Sequence, residues 1–373
     1  MTFKTRTGSK EFRKLFPKID KMTDRDIRMS YKGGWTYLNP IYADKIVGAG
    51  QVYDVNSMYP WAMRNCILPY GEPMYFFGTP KPPPLYQLFV VQLTAAFQLK
   101  PNHYPSIQIK HTMFFSDNEY IVSSPFPMQL TLTNVDLELF FENYDAEDVK
   151  YIGGYYFKAQ HGMFTDYIDY WYHIKEESDR TGNKGMKQIA KLMLNSLYGK
   201  FGMKLDGRSK IPYYDKENDL VRYKLSELED REGVYIPVAT FITSYCRDKI
   251  IRSANSIYDR FVYADTDSIH LLGTNPVTEI EIDKYRLGAF KLESEFIRAR
   301  FVRQKTYYEI SPDEEMELKC AGMPRNMKNT VEEKDFYYGA EFPIGPDSKF
   351  SPKLSPKTVP GGVILREMPF KIH

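Results

Sequence analysis

Cysteine is scarce in this chain. Three residues in 373, Cys66, Cys246 and Cys320, stand far apart and are odd in number. That excludes a disulfide framework. No C-x-x-C or His/Cys spacing points to zinc, so reduced thiols in a cytoplasmic setting are expected. Long apolar runs are missing too. No segment approaches the roughly 20 residues of a membrane span, and the opening MTFKTRTGSKEFRK has no signal-peptide core. Strong charge of either sign is also absent, and a formal net charge of +2 is too mild to diagnose nucleic-acid binding. What the chain has in quantity is aromatic residues, 15% of the total with 30 tyrosines, which suit base stacking but equally fill β-rich cores. A hydrophobic content of 43% and a charged content of 26% are ordinary for a globular protein, and the length allows two or three subdomains.

The charge is unevenly spread. Lys184, Lys187, Lys191, Lys200, Lys204, Arg208 and Lys210 share one stretch with a single acid, Asp206, and Arg298, Arg300, Arg303 and Lys305 form a second basic cluster. Short helices are expected at Ser9–Phe16 and Asp24–Met29. Gly33 and Gly34, in SYKGGWTYLNP, permit close approach of another backbone, with Tyr31 and Lys32 alongside. Val52–Val55 reads as a strand with Asp54 inside it, and 69–84 as a Pro- and Gly-rich loop. Strands over Leu85–Lys110, a strand and then a helix within Glu119–Tyr144, and a strand at Val149–Lys158 suggest an inserted α/β subdomain from about Cys66 to Gly162. Helices follow at Phe164–Glu177 and Met186–Gly202, then a hairpin over Tyr213–Arg231. VYIPVATFITSYCRDKII, from Val234, reads as a strand that becomes a helix towards Tyr258. Strands over Phe290–Tyr308 and Glu317–Met323, a loop or extended arm at Phe350–Gly362 and a strand at Val363–Ile372 complete the expectation.

Three features carry chemistry. In VYADTDSIHL, two apolar runs flank Asp265-Thr266-Asp267-Ser268, which reads as a tight hairpin. Its two acids sit at i and i+2, share a face, and repel each other unless a cation is near. Asp54, on an otherwise apolar strand, is costly to bury unless paired or bound to metal. The helix MKQIAKLMLNSLYGKFG puts Lys187, Lys191, Asn195 and Tyr198 in one stripe, with Ile189, Leu192, Met193 and Leu197 mostly away from it. Singly, each has an ordinary explanation: a turn that favours Asp, a solvated helical face. Together, acids converging from neighbouring strands are what two-metal phosphoryl transfer requires, with lysines over the triphosphate.

These residues resemble the family B DNA polymerases, and in particular their protein-primed branch found in small bacteriophages. Asp54–Pro60 (DVNSMYP), Lys191–Gly199 (KLMLNSLYG) and Tyr263–Ser268 (YADTDS) resemble motifs A, B and C. Lys305-Thr306-Tyr307 matches K-x-Y, and Tyr31–Gly34 (YKGG) resembles Y-x-G-G. The long A-to-B segment with NVDLEL at Asn134–Leu139 resembles the protein-primed branch. The resemblance implies an α+β right-hand polymerase fold: a palm with an antiparallel sheet, helical fingers, a small thumb and two insertions. It would divide the chain into an N-terminal segment and first part of the palm (1–65), an insertion contacting a terminal protein (66–162), fingers (163–202), a second insertion (203–234), the rest of the palm (235–322) and the thumb (323–373).

The implied function is DNA-directed DNA polymerisation, with primer–template DNA, dNTPs and a terminal protein primer as partners. A monomer in the host-cell cytoplasm is expected, with no membrane partner. Two Mg²⁺ ions, replaceable by Mn²⁺, would be held by Asp54, Asp267 and the Val55 carbonyl, with Asp265 in support. Ser57, Met58, Tyr59, Lys187, Lys191, Asn195 and Tyr198 would bind the nucleotide. Tyr59 would exclude a ribose 2′-hydroxyl, and Lys191 would protonate the leaving pyrophosphate. Tyr31, Gly33, Gly34, Thr266, Lys305, Thr306 and Tyr307 would contact DNA.

One departure stands out. The family carries a 3′–5′ exonuclease domain with a D-x-E pair before Y-x-G-G, and the residues before Tyr31 contain no D-x-E. No proofreading in cis, and weaker strand displacement, are therefore expected. The rival readings are a reverse transcriptase or RNA polymerase, which also use a two-acid hairpin, and a non-catalytic DNA-binding replication-initiation module derived from a polymerase.

Overall fold

In the computed structural model, the longest helix is Ile236–Ser256, 21 residues. Ile236, Val238, Phe241, Ile242, Cys246, Ile250 and Ile251, on every side of it, are buried. Only its C-terminal half keeps a charged face, Asp248, Lys249 and Arg252, and the rest of the helix is enclosed by the fold. Its threonine hydroxyls are satisfied within it, Thr240 and Thr243 donating to the carbonyls of Ile236 and Ala239 at 3.1 and 3.2 Å, while the Ser244 hydroxyl lies 2.9 Å from the Thr240 carbonyl and 2.7 Å from the Asp136 carboxylate. The sequence reading placed a strand at the start of this segment. Pro237 instead sits in the first helical turn, where its missing N–H costs nothing and its fixed φ suits a helix. The helix ends at Ser256, short of Tyr258, where a 3₁₀ turn begins.

The structure describes residues 9–109, 120–204, 206–227, 229–230, 234–345, 347–359 and 362–373. The chain divides into two units, and each returns to sequence segments far apart. The first comprises Met1–Tyr37, Gln51–Met203 and Gly233–Ser294. At its heart is a five-stranded sheet ordered Thr36–Leu38, Phe261–Asp265, Ser268–Leu272, Gly50–Val55, Phe290–Phe296. Around it lie the long helix and the helices Met58–Asn65, Thr165–Arg180 and Lys184–Phe201. Asp20 caps the helix Lys21–Arg28 by accepting from the N–H groups of Met22 and Thr23. A second, antiparallel sheet is ordered Ile67–Phe77, Tyr144–His161, Leu88–Leu99, Ser123–Thr133 and packs on the helix Asn134–Asn143. A Cβ at Gly154 would lie 2.0 Å from the Val90 carbonyl oxygen, so only glycine lets these two strands approach. Among the described residues no helix is long and apolar enough to cross a membrane.

The second unit comprises Leu38–Gly50, Lys204–Glu232 and Glu295–His373. Its antiparallel sheet runs Met316–Cys320, Thr306–Ile310, Arg298–Arg303, Ile46–Val47. Val302, Tyr308, Ile310, Phe336, Phe342 and Phe370 form its apolar core. Two hairpins, Lys210–Asp215 with Leu220–Leu225 and Lys353–Val359 with Gly362–Met368, belong to it.

Some expectations need correction. The Pro- and Gly-rich stretch 69–84 is not all loop, because Ile67–Phe77 is one strand. A register shift between Tyr70 and Met74 absorbs Pro73, whose nitrogen cannot join the ladder. Among the described residues, 100–109 contribute an isolated bridge, Gln108 to Tyr120, rather than a strand. Within the arm expected at Phe350–Gly362, Lys353–Val359 is a strand paired with Gly362–Met368, and Pro360 and Gly361 lie outside the described residues. The expected element ends at Lys110, Glu119 and Arg231 lie outside the described residues.

Candidate active site

Sheet order brings the acids together. The strand carrying Asp54 lies beside Ser268–Leu272, the second strand of the acidic hairpin. That hairpin has Asp265 paired with Ser268, leaving Thr266 and Asp267 at its tip. Thr266 adopts a left-handed φ of 67°, and its N–H donates to the Trp35 carbonyl at 2.9 Å. Gly34 lies against this tip: a Cβ there would come 2.6 Å from Thr266 Cγ2. The glycine of YKGG is therefore required by close approach to the acidic turn. The Val55 N–H donates to the Asp267 carbonyl at 2.8 Å, tying the Asp54 strand to the turn.

The three acids differ. Asp267 is pushed up to about 7, first by burial and then by the neighbouring charges of Asp54, Asp265 and Glu293. Asp54 is also raised by burial, while the ammonium of Lys291, 3.3 Å from its Oδ2, pulls the other way. Asp265 accepts from the Thr36 hydroxyl at 3.2 Å and the Thr266 hydroxyl at 3.3 Å. It supports the turn and does not line the cleft, whereas Asp54 and Asp267 do.

That cleft has a volume of about 750 Å³. The expected stripe Lys187, Lys191, Asn195 and Tyr198 faces it, together with Val55, Ser57, Met58 and Tyr59. Ala190, Leu194 and Phe201 anchor the opposite side of the helix Lys184–Phe201 in the core. Ile189 and Leu192 are 50% and 64% exposed. Ser57 holds a left-handed φ of 51°, a conformation uncommon for a residue with a Cβ, and its hydroxyl accepts from Lys175 at 2.8 Å. Tyr59 stacks on Tyr198 with ring centroids 4.2 Å apart, and burial raises its phenol well above the usual range. Lys187 pairs with Asp179 at the foot of the preceding helix.

Sequence reasoning missed Lys175 and Lys291. Burial and the neighbouring cations Lys191 and Lys291 lower the Lys175 ammonium to about 8. A signal existed for it, since Lys175 and Asp179 are four apart on one helix and Asp179 meets the lysine stripe. Tyr31 is raised by burial, and a Cβ at Gly202 would come 2.4 Å from its hydroxyl, so it abuts the end of the lysine helix. Arg247 donates to the carbonyls of Lys32 and Gly33 at 3.0 Å each while paired with Asp136. Lys305, Thr306 and Tyr307 belong to the second unit. There Lys305 takes a left-handed φ of 57° and Tyr307 stacks on Phe301.

Among the described residues, no group of three or more His, Cys, Asp or Glu side chains is placed to hold a metal alone. Two carboxylates are enough for Mg²⁺, which keeps waters and takes further oxygens from substrate phosphates. The mutual repulsion of Asp54 and Asp267, and the hard oxygen donors they offer, fit such an ion.

Comparison with known proteins agrees. The family model for DNA polymerase type B, organellar and viral, matches residues 1–283. The DNA polymerase of Bacillus phage phi29 is 42% identical over 99% of this chain, and that of Streptococcus phage Cp-1 is 33% identical over 99%. The structure of phi29 DNA polymerase complexed with primer–template DNA and incoming nucleotide superposes over 100% of the chain with a TM-score of 0.91 and 41% identity. The chain spans 66% of the phi29 protein's length and 64% of the Cp-1 protein's. On its sequence and its fold, the chain belongs to the type B DNA polymerases of organelles and viruses.

Proposed function

We propose that this chain adds deoxynucleotides to a primer 3′-hydroxyl on a DNA template. The observation that carries the reading is the meeting of Asp54 and Asp267 with Lys175, Lys187 and Lys191 in one cleft. Acids stand where a cation would neutralise a reacting centre, and ammonium groups where the charge of a triphosphate would lie. Magnesium, two ions with Mn²⁺ as a substitute, would supply Lewis-acid activation and charge neutralisation when held by Asp54, Asp267 and the Val55 carbonyl.

The chain's own groups position the rest. Lys175, Lys187 and Lys191 hold the β- and γ-phosphates, and Lys191 gives a proton to the leaving pyrophosphate. The stacked Tyr59 and Tyr198 form a floor beneath the sugar, where Tyr59 leaves no room for a ribose hydroxyl. Ser57 and Met58 offer the N-terminal backbone of a helix to the phosphates. Asn195 lines the new base pair, and Asp265 steadies the turn. Tyr31, Gly33, Gly34, Thr266, Lys305, Thr306 and Tyr307 contact DNA.

In this reading residues 66–162 meet a terminal protein, 203–234 enclose the duplex, 163–202 are fingers, 1–65 and 235–322 palm, and 323–373 thumb. The protein works as a monomer in the host cytoplasm. The phi29 polymerase has been seen with primer–template DNA and with nucleotide, and the same partners suit this cleft. The 1–373 polypeptide assayed alone is expected to leave a mismatched primer end intact.

Primer extension on a DNA template, with and without a terminal protein, tests the reading. Asp54→Ala and Asp267→Ala should each reduce nucleotide addition by about a thousandfold or more while DNA binding by anisotropy persists. Extension that survives either change, or a preference for ribonucleotides, would defeat it.

A further inference from the structure

We propose that Lys291 is a tethered counter-cation of the acid pair, which a divalent ion has to displace before it can occupy the site. The inference deepens the reading of Asp54 and Asp267 as a divalent-cation site and rests on it. The strand Phe290–Phe296 lies beside the Asp54 strand in the sheet. The two backbones therefore hold the Lys291 ammonium against the Asp54 carboxylate, 3.3 Å from Oδ2. Lys175 gives its ammonium to the Ser57 hydroxyl, and Lys187 is paired with Asp179.

One ammonium cannot neutralise Asp54 and Asp267 together, with Glu293 adding further negative charge. A divalent ion can, but it and the ammonium cannot share the same carboxylate oxygen. Lys291 has a flexible four-carbon stem and a side chain 35% exposed, so its head has a route to water when it is displaced. Displacing it costs the ion pair with Asp54, and the displaced ammonium still repels the incoming ion. The side chain thus raises the divalent concentration the site needs, and it lessens the repulsion within the empty site.

Replacing Lys291 should therefore tighten divalent binding by about five- to tenfold at low ionic strength. It should also lower the unfolding temperature in EDTA and enlarge the rise on adding Mg²⁺, since an ion that binds only the folded state stabilises it by mass action. The test is titration of the full chain with Mn²⁺ alone, followed by the electron-spin signal of free Mn²⁺ at about pH 8.5, where carboxylates are ionised. Lys291→Met and Lys291→Gln should bind more tightly than the parent, Lys291→Arg like the parent, and Asp54→Asn far more weakly. Equal affinity in the parent and both neutral variants, with Asp54→Asn still weaker, would overturn the role of Lys291 and leave the acid site standing. Parent-like binding by Asp54→Asn would remove the acid-site reading and this inference with it.

Discussion

Replacing Asp267 by Asn removes a carboxylate that the fold tolerates poorly once it is charged. Its pKa rises from the usual 3.8 to about 7 through burial first, then through Asp54, Asp265 and Glu293. Between those two values the folded protein keeps the proton that the unfolded chain has lost. Stability from this group is therefore fully present below about pH 4 and is lost as pH rises towards 7. At about 1.4 kcal/mol per pKa unit, the full rise would amount to about 4 kcal/mol. Asp267 is only partly buried and opens on a wet cleft, so solvent screening reduces a realistic figure to about 2 kcal/mol.

Asn has nearly the same shape and does not ionise. In EDTA, Asp267→Asn should match the parent near pH 4 and exceed its stability by about 2 kcal/mol at pH 8. For a domain of this size that is a rise of a few degrees in unfolding temperature. Urea unfolding at half-unit steps from pH 4 to pH 8 measures it directly. Parallel pH profiles for the two proteins, or a less stable variant at pH 8, would refute the reasoning. The same variant should lose nucleotide addition, so that stability and activity move in opposite directions.

Three further outcomes follow from named contacts. Arg247→Met strands the Asp136 carboxylate in a part-buried site and frees the carbonyls of Lys32 and Gly33. It should cost about 3–5 kcal/mol by chemical unfolding, and an unchanged midpoint would count against that network. With the Lys175 ammonium lowered to about 8, the KM for dNTP should climb as pH passes from 7.5 to 9 while that of Lys175→Met stays high and flat. Parallel KM curves would remove Lys175 from nucleotide binding. Gly154→Ala drives a methyl group into the Val90 carbonyl and should destabilise by about 2–4 kcal/mol. A wild-type melting curve for that variant would mean that the strands can separate there.

Where a feature's cause is local, the sequence carried it; where the cause is cross-strand placement, it did not. The helix Lys184–Phe201 was legible because its lysines repeat at helical spacing and Asn183 caps it. The acidic turn was legible because Asp and Ser at a hairpin tip follow short-range rules. The stretch Ile67–Phe77 was not: Pro and Gly mark turns in isolation, yet pairing with Tyr144–His161 outweighs them once a register shift absorbs Pro73. The exposure of Ile189 and Leu192 was not legible for a related reason, since an apolar residue on a helix shows nothing about which face has a neighbour, and these two point to solvent. Lys291 is the sharpest case. Within KLESE it alternates like any charged edge strand, and Phe290–Phe296 is indeed the edge of its sheet. Its meaning comes from the strand beside it. Sheet order between segments so distant in sequence is set by the whole core, so the ion pair with Asp54 becomes visible only when that core is built.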